Sequence, residues 1–266
     1  GALDLPPAVS PLERTLTLMQ LVQRWREAKS KSDPDGAGAA SNTPAQAAAL
    51  AAELAALMDL IETENVSLSG LKSLVPNTFA THWQQTVQFL EIVTASWPDH
   101  LKEKGFTSQA GRRNALLLAE AERITKLPPS TPVIIAGVTG SIPATVMLIR
   151  AVAALPNGAI VLPALDLTLD EASWQSIGPD HPEHPQFGLK KLLDQLGVAR
   201  SDVKMLQGAA PSNRLAARAA LVSEAMRPSA TTARWHHFAK SANRNEMKDA
   251  LTGVSLIEAP SAQDEA

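Results

Sequence analysis

The fold is decided by residues 132–165, PVIIAGVTGSIPATVMLIRAVAALPNGAIVLPAL, which predict a strand, a tight turn, a helix, a second turn and a second strand. The first strand is VIIA (133–136), an apolar and β-branched run that ends at Gly137, as a buried strand does. The second strand is AIVL (159–162). Because a helical crossover joins two apolar strands, we expect them to lie parallel in one sheet of an α/β fold.

The helix between these strands has recognisable start and stop signals. Ser141 is expected to cap it, and Pro143 stands in its first turn, where a missing N–H costs nothing. Pro156-Asn157-Gly158 is expected to end it. The sequence therefore predicts a complete strand–helix–strand unit.

Helices are predicted on both sides of this unit. The first begins at the Ser10-Pro11-Leu12-Glu13 capping box, runs to about Lys29 and has an expected core face of Leu12, Leu16, Met19, Val22 and Arg26. The second begins at Thr43 and has an expected core face of Ala47, Leu50, Leu54, Leu57, Met58 and Ile61. Further helices are predicted at 78–96 and 107–127, with a break at Trp97-Pro98, and at about 170–177, 185–196, 211–227 and 231–252. A final strand is predicted at 253–259, GVSLIEA, and a polar, disordered loop at 30–42.

The composition excludes several classes of site. Cysteine is absent from the 266 residues, which removes disulfides, thiolate zinc sites, iron–sulfur ligation and a cysteine nucleophile, and which fits a cytoplasmic location. No apolar run approaches 18 residues, so we expect no membrane span. We expect a mostly helical protein with no contact with a membrane.

The net charge of −3 argues against tight autonomous binding to nucleic acid, because neutralising phosphates requires a basic face. The charges are nevertheless uneven. Residues 158–186 carry five acidic and no basic side chains, whereas residues 201–250 carry eight Lys or Arg against four acids. Solvated helix faces account for this contrast, and weak contact with DNA is the second interpretation. The candidate DNA-contacting residues are Arg214, Arg218, Arg234, Lys240 and Arg244.

The turn at Thr139, Gly140 and Ser141 is a weak candidate cofactor site. Backbone N–H groups at the start of a helix attract phosphate, and Asp166 after the second strand resembles a ribose-binding acid. A Walker loop, however, needs Lys-Ser/Thr where this chain has Ile142-Pro143, and a dinucleotide turn needs a third glycine. A small nucleotide- or dinucleotide-dependent enzyme using the Gly137–Thr145 turn stays the alternative hypothesis.

Other chemistry-bearing residues form no convincing constellation. His181 and His184 are kept off a helix by neighbouring prolines, and no third ligand accompanies them. His236 and His237 are adjacent, so on a helix they point in different directions. Ser141 lacks the surroundings of a nucleophile elbow. We expect no catalytic residue, no metal site and no cofactor.

Three central segments resemble the alphaproteobacterial type of AddB, a subunit of AddAB helicase–nucleases, which process double-strand DNA breaks for recombination. They are AGVTGSIPAT (136–145), AIVLPALDLTLDEASW (159–174) and HPQFGLKKLLDQLGVARSDV (184–203). The outer segments LPPAVSPLERTLTL (5–18) and GVSLIEAPSAQDEA (253–266) resemble earlier and later parts of the same family. The resemblance implies that this chain is an internal fragment of a longer protein.

The resemblance also implies a fold and a role. Family members have a superfamily 1 helicase-like N-terminal half and a nuclease domain at the other end. In a working helicase the strand at 133–136 leads into the acidic pair that holds magnesium, but here Ala136-Gly137-Val138-Thr139 contains no carboxylate. The family comparison therefore implies a helicase fold without motor chemistry, kept for binding DNA and an AddA-type partner subunit. A freestanding helical interaction module is disfavoured, because it leaves the parallel strands without a purpose.

The same resemblance gives a domain division. Residues 1–9 are expected to be an extended lead-in, and 10–130 a helical insertion domain. Residues 131–252 are expected to be a partial RecA-like α/β portion with a helical extension, and 253–266 the truncated start of a following domain.

Overall fold

Ten α-helices and two β-strands lie in the parts of the chain that the computed structural model describes, namely residues 5–32, 43–66, 81–206, 208, 211–255, 257–261 and 263. In chain order they are α1 (Pro11–Ser32), α2 (Pro44–Glu64), α3 (Thr81–Glu103), α4 (Gln109–Lys126), β1 (Val133–Ala136), α5 (Pro143–Ala153), β2 (Gly158–Val161), α6 (Glu171–Ser176), α7 (Phe187–Leu196), α8 (Asn213–Ala225), α9 (Trp235–Ser241) and α10 (Arg244–Leu251). Short 3-10 helices span Arg200–Asp202 and Ser229–Arg234. The fold is α/β and mostly helical, with a two-stranded parallel sheet, as the sequence predicts.

The chain divides into two compact units. The first comprises residues 1–132 and 142–158, and the second comprises residues 133–141 and 159–266. The crossover helix α5 thus belongs to the first unit, where it packs on α4. The polar loop expected at 30–42 lies largely outside the described residues, although α1 extends to Ser32.

The core of the first unit forms where α1, α2 and α3 meet. Its best-buried side chains are Leu18, Val22, Ala51 and Trp97, each at most 1% exposed. Capping confirms two predicted helix starts, because the side chains of Ser10 and Thr43 accept hydrogen bonds from the backbone N–H groups of Glu13 and Gln46.

The face predicted for α1 is only partly correct. Val22 is buried and Met19 packs against the core, but Leu12 and Leu16 are 70% and 49% exposed. The buried stripe instead contains Arg14 and Leu18. An arginine is not expected at a core position, so a search for apolar residues at helical spacing does not find the buried face of α1.

Arg14 is buried because it is paired. Its guanidinium donates two hydrogen bonds to the carboxylate of Asp59, at 2.9 and 2.8 Å, and a third to the carbonyl oxygen of Ala55 at 2.9 Å. These bonds tie α1 to α2, whose buried face of Ala47, Ala51, Leu54 and Met58 agrees with the prediction at three of its positions.

The helix α2 is long and apolar enough, by length and composition alone, to cross a membrane. Its mean hydropathy is 1.3 in one window, so the expectation that no apolar run approaches 18 residues is wrong for this helix. In the structure 22% of that window is buried.

The break predicted at Trp97-Pro98 does not occur. The described helix α3 continues through Pro98 to Glu103. Proline removes one backbone hydrogen bond, but Trp97 and Leu101 on either side are 1% and 5% exposed. Burial of these two large side chains offsets the cost of the proline. Residues 78–80, where the helix was predicted to begin, lie outside the described residues.

Three further predictions, two of them at the sheet and its crossover helix, need correction. Residue Ile142, not Ser141, is the N-cap of α5 and no side chain caps it, because Pro143 begins the helix one residue later than expected. The strands are only half-buried, with Ile134 63% exposed, since two strands leave much of their surface open. Residues 253–259, apart from the undescribed Leu256, form no strand, and Ile257 is 85% exposed. An apolar run gains no strand geometry without an edge to pair with.

The Arg14–Asp59 pair is expected to contribute strongly to the stability of the first unit. Asp59→Ala leaves the buried guanidinium without its counter-ion and is expected to lower the free energy of unfolding by about 2 kcal/mol, below the usual cost of breaking a fully buried pair because Asp59 is 41% exposed. Urea unfolding followed by circular dichroism measures this. The control is Glu122→Ala, which removes an exposed pair with Lys126 and is expected to leave the free energy of unfolding almost unchanged. Equal costs for the two variants would contradict the assignment.

Candidate functional site

The glycine turn after β1 is shaped by packing within the second unit. Gly137 and Gly140 have φ angles of 74° and 64°, in the left-handed region that favours glycine. Gly140 is also buried, and a Cβ atom there would lie 2.7 Å from Cδ1 of Leu192, a fully buried side chain of α7. Close approach of α7 therefore accounts for Gly140 without any phosphate.

The remaining candidate residues of the turn lie at the surface. Thr139 and Ser141 are exposed. The helix that follows starts with Pro143, which has no N–H to offer an anion, and its N-cap residue Ile142 contributes no side-chain hydrogen bond. The donors typical of a phosphate-binding helix start are thus reduced at this position.

Asp166, the candidate ribose-binding acid, holds its own loop together. Its Oδ1 accepts hydrogen bonds from the N–H and hydroxyl of Thr168, both at 2.8 Å, and from the N–H of Leu169 at 2.9 Å. Burial acts to raise the pKa of Asp166, but the hydrogen bonds from Ser223, Leu169 and Thr168 outweigh it and lower the pKa below its ordinary value. The carboxylate is therefore engaged in a turn.

A buried arginine organises the other end of the second unit. The guanidinium of Arg227 is 4% exposed and hydrogen-bonds Asp170, Ser173 and Glu224, the Glu224 contact including a 2.9 Å bond from Nε. Asp170 is the N-cap of α6, since its Oδ1 accepts the N–H of Ser173 at 3.1 Å. Arg234 adds a second cation 2.9 Å from Asp170. This cluster joins α6 to the end of α8 and to the 3-10 helix that follows.

The cluster shifts the titration of Asp170. Burial acts to raise its pKa, but hydrogen bonds from Arg227 and from the backbone and hydroxyl of Ser173 outweigh it, together with the charge of Arg227. They hold the pKa of Asp170 well below its ordinary value.

The sequence analysis does not identify Arg227 as a functional or structural residue. Its signal in the sequence is a basic residue just after α8, in a stretch rich in Lys and Arg.

The five candidate DNA-contacting residues fall into two groups. Arg218 donates hydrogen bonds to the carbonyl oxygens of Ala250 at 2.8 Å and Thr252 at 2.6 Å, at the end of α10, and Arg234 is paired with Asp170. The other three are exposed and form no ion pair with any described residue. They are Arg214, Lys240 and Arg244. The structure thus assigns an internal contact to two candidates and leaves three at the surface.

A basic residue missed by the sequence analysis lies beside Arg244. Lys248 follows it by one helical turn on α10, and both line one groove with Phe238 of α9. The i, i+4 spacing of Arg244 and Lys248 is the sequence signal that indicates a shared face.

In the described parts of the chain, no three His, Asp or Glu side chains come together as a group that could hold a metal ion. His184 contacts the carbonyl oxygen of Met226 through Nε2 at 2.8 Å and accepts the N–H of Gln186 through Nδ1 at 3.1 Å. His181 lies 3.3 Å from Glu183. His236 and His237 are exposed.

Comparisons with known proteins found no match. No protein-family model matches the chain, no curated protein is significantly similar in sequence, and no solved structure is significantly similar.

Replacing the two left-handed glycines separates packing from backbone strain. Gly140→Ala adds both a positive-φ penalty and a clash with Leu192, and is expected to lower the free energy of unfolding by about 3 kcal/mol. Gly137→Ala is the matched control, because nothing lies within 4 Å of its added Cβ and only about 1 kcal/mol is expected. Chemical denaturation measures both. A Gly140 variant no less stable than the Gly137 variant would show that α7 does not pack there.

The Asp170 cluster predicts a specific acid sensitivity. The pKa of Asp170 is lower in the folded chain than in the unfolded chain, where it is about 3.9. The carboxylate therefore stabilises the fold above about pH 4, and this stabilisation is lost as the pH falls further. Asp170→Asn is expected to be less stable at pH 7 and to lose less stability than the wild type between about pH 5 and pH 2.5. Urea midpoints across that range test this. Asp180→Asn, at an exposed carboxylate, is expected to reproduce the wild-type slope.

Proposed function

We propose that this chain is a non-catalytic, helicase-like piece of an AddB-type subunit, which acts as a scaffold and guides DNA within an AddAB-type helicase–nuclease during double-strand break repair. In this proposal the strand–helix–strand unit is part of a RecA-like sheet, and the helices before it are a large insertion. The partners are an AddA-type subunit and DNA, which this piece alone binds weakly. The location is the cytoplasm.

The observation that carries the non-catalytic part of the proposal is the occupied turn after β1. A helicase motor needs carboxylates after this strand to hold magnesium, and the alternative phosphate-binding turn needs open space beside its glycines. Here Leu192 fills the space next to Gly140, and residues 136–139 contain no acid. A turn of this kind supports the sheet without performing phosphoryl transfer.

The DNA-guiding part rests on charge. Arg214, Lys240 and Arg244 are exposed cations on the helices that follow residue 211, although the whole chain carries a net charge of −3. A few such cations contribute weak and salt-sensitive affinity for phosphates, which suffices when a partner subunit supplies the main hold on the strand.

The alternative enzyme function gains no support from these contacts. It requires an acceptor for a nucleotide ribose beside the turn, whereas the carboxylate of Asp166 already accepts hydrogen bonds from Thr168 and Leu169. The scaffold function is therefore the one that the contacts favour.

Two measurements on the 266-residue chain test the proposal together. Fluorescence anisotropy with a labelled oligo-dT is expected to show weak binding that falls with salt, the slope of log K against log salt being about −0.7 for each phosphate neutralised. Thermal shift with ATP–Mg²⁺, ADP, NAD(H) and NADP(H) is expected to show no stabilisation. A bound nucleotide at ~100 times its dissociation constant stabilises a fold by about 2.7 kcal/mol, so a real site is detectable. Stabilisation by one nucleotide without DNA binding would favour the enzyme instead.

A further inference from the structure

We propose that single-stranded DNA docks in the groove between α9 and α10, with phosphates on Arg244 and Lys248 and a base against Phe238. This inference rests on the proposed DNA-guiding function and gives it a location. The groove lies within the second unit and has a volume of about 760 Å³.

The walls of the groove are mainly apolar. Phe238 and Ala242 lie on the side of α9, and Met247 and Leu251 lie on the side of α10. Phe238 is half-buried, so part of its ring stays open to the groove, while Leu251 is 49% exposed. An aromatic ring in such a position offers a surface on which a base of any identity stacks.

The cations of α10 share the groove side of the helix. Arg244, Met247, Lys248 and Leu251 follow the i, i+3, i+4, i+7 spacing of one helical face, and all four line the groove. The acidic residues of the same helix, Glu246 and Asp249, do not line it. The helix α10 therefore directs positive charge into the groove, although its two basic and two acidic side chains balance.

Both cations are available to a ligand. Arg244 and Lys248 are exposed, and neither forms an ion pair with a described residue. By contrast, Arg218 holds the carbonyl oxygens of Ala250 and Thr252 and so fixes the end of α10 against α8. Arg218 thus holds α10 in place, while Arg244 and Lys248 line the groove.

Charge and apolarity together select the occupant. Phosphates need cations, and unstacked bases need apolar or aromatic contact. A duplex hides its bases and presents only phosphates to such a groove. A peptide of acidic residues alone matches the cations but has no planar ring to stack on Phe238. Single-stranded DNA matches both features of the groove.

The test is fluorescence anisotropy of the 266-residue chain with labelled oligo-dT at several salt concentrations. The double variant Arg244→Ala, Lys248→Ala is expected to bind at least ~10-fold more weakly at low salt, with a salt slope shallower by about 1.4, the value for two phosphate contacts. Phe238→Leu is expected to weaken binding about fivefold or more without changing the slope. Both cations are exposed, so circular dichroism and the unfolding midpoint of the double variant are expected to match the wild type.

The matched control is Arg214→Ala, Lys240→Ala, which removes the same charge from exposed cations that do not line the groove. A smaller loss in this control than in the groove variant supports the site. Wild-type binding that both double variants weaken equally, or that neither weakens, overturns the groove and leaves the proposed function intact. No binding of oligo-dT by the wild type overturns the DNA-guiding function itself. Equal affinity for duplex DNA, or binding of poly-glutamate in place of oligo-dT, overturns the choice of occupant.

Discussion

The buried guanidinium of Arg227 is the contact on which the second unit depends. With 4% of its side chain exposed, it must find acceptors inside the protein, and it finds them on α6 and α8. Removing such a charge from water costs several kcal/mol unless its hydrogen bonds are satisfied. Asp170, Glu224 and Ser173 satisfy them, and the same Asp170 caps α6. Asp170 therefore both caps the start of α6 and, through Arg227, connects α6 to α8.

The helices presented to solvent depend on that arrangement. Trp235, the first residue of α9, donates a hydrogen bond from Nε1 to the carbonyl oxygen of Glu224 at 2.7 Å. Glu224 is thus bound through its side chain to Arg227 and through its backbone to α9. Arg218, further back on α8, holds the end of α10. Both helices that form the groove are thus hydrogen-bonded to α8, and α10 also packs on α8 and buries Ala250 completely.

The sequence predicts the elements better than it predicts their contacts. The strand–helix–strand unit, the capping of α1 and α2 and most helices after residue 166 follow from local signals, namely caps, glycines and periodicity. The errors arise where tertiary contacts override those signals. Pro98 stays helical because Trp97 and Leu101 are buried, and the core stripe of α1 contains Arg14 because Asp59 neutralises it. At 253–259 a strand-like pattern forms no strand in the described residues, because strand geometry depends on a partner that local sequence does not specify.

Candidate sites are harder to predict from sequence than helices and strands, because a residue type does not show what its charged group contacts. Arg218 and Arg244 are equally plausible DNA contacts in the sequence, yet one is bonded to two carbonyl oxygens and the other faces a groove. Similarly, Gly140 fits a phosphate-binding turn and a tight packing contact equally well until Leu192 is placed beside it. In both cases a residue more than 30 positions away decides the role. At this turn the described contact is one of packing, because a side chain on Gly140 would collide with the buried Leu192.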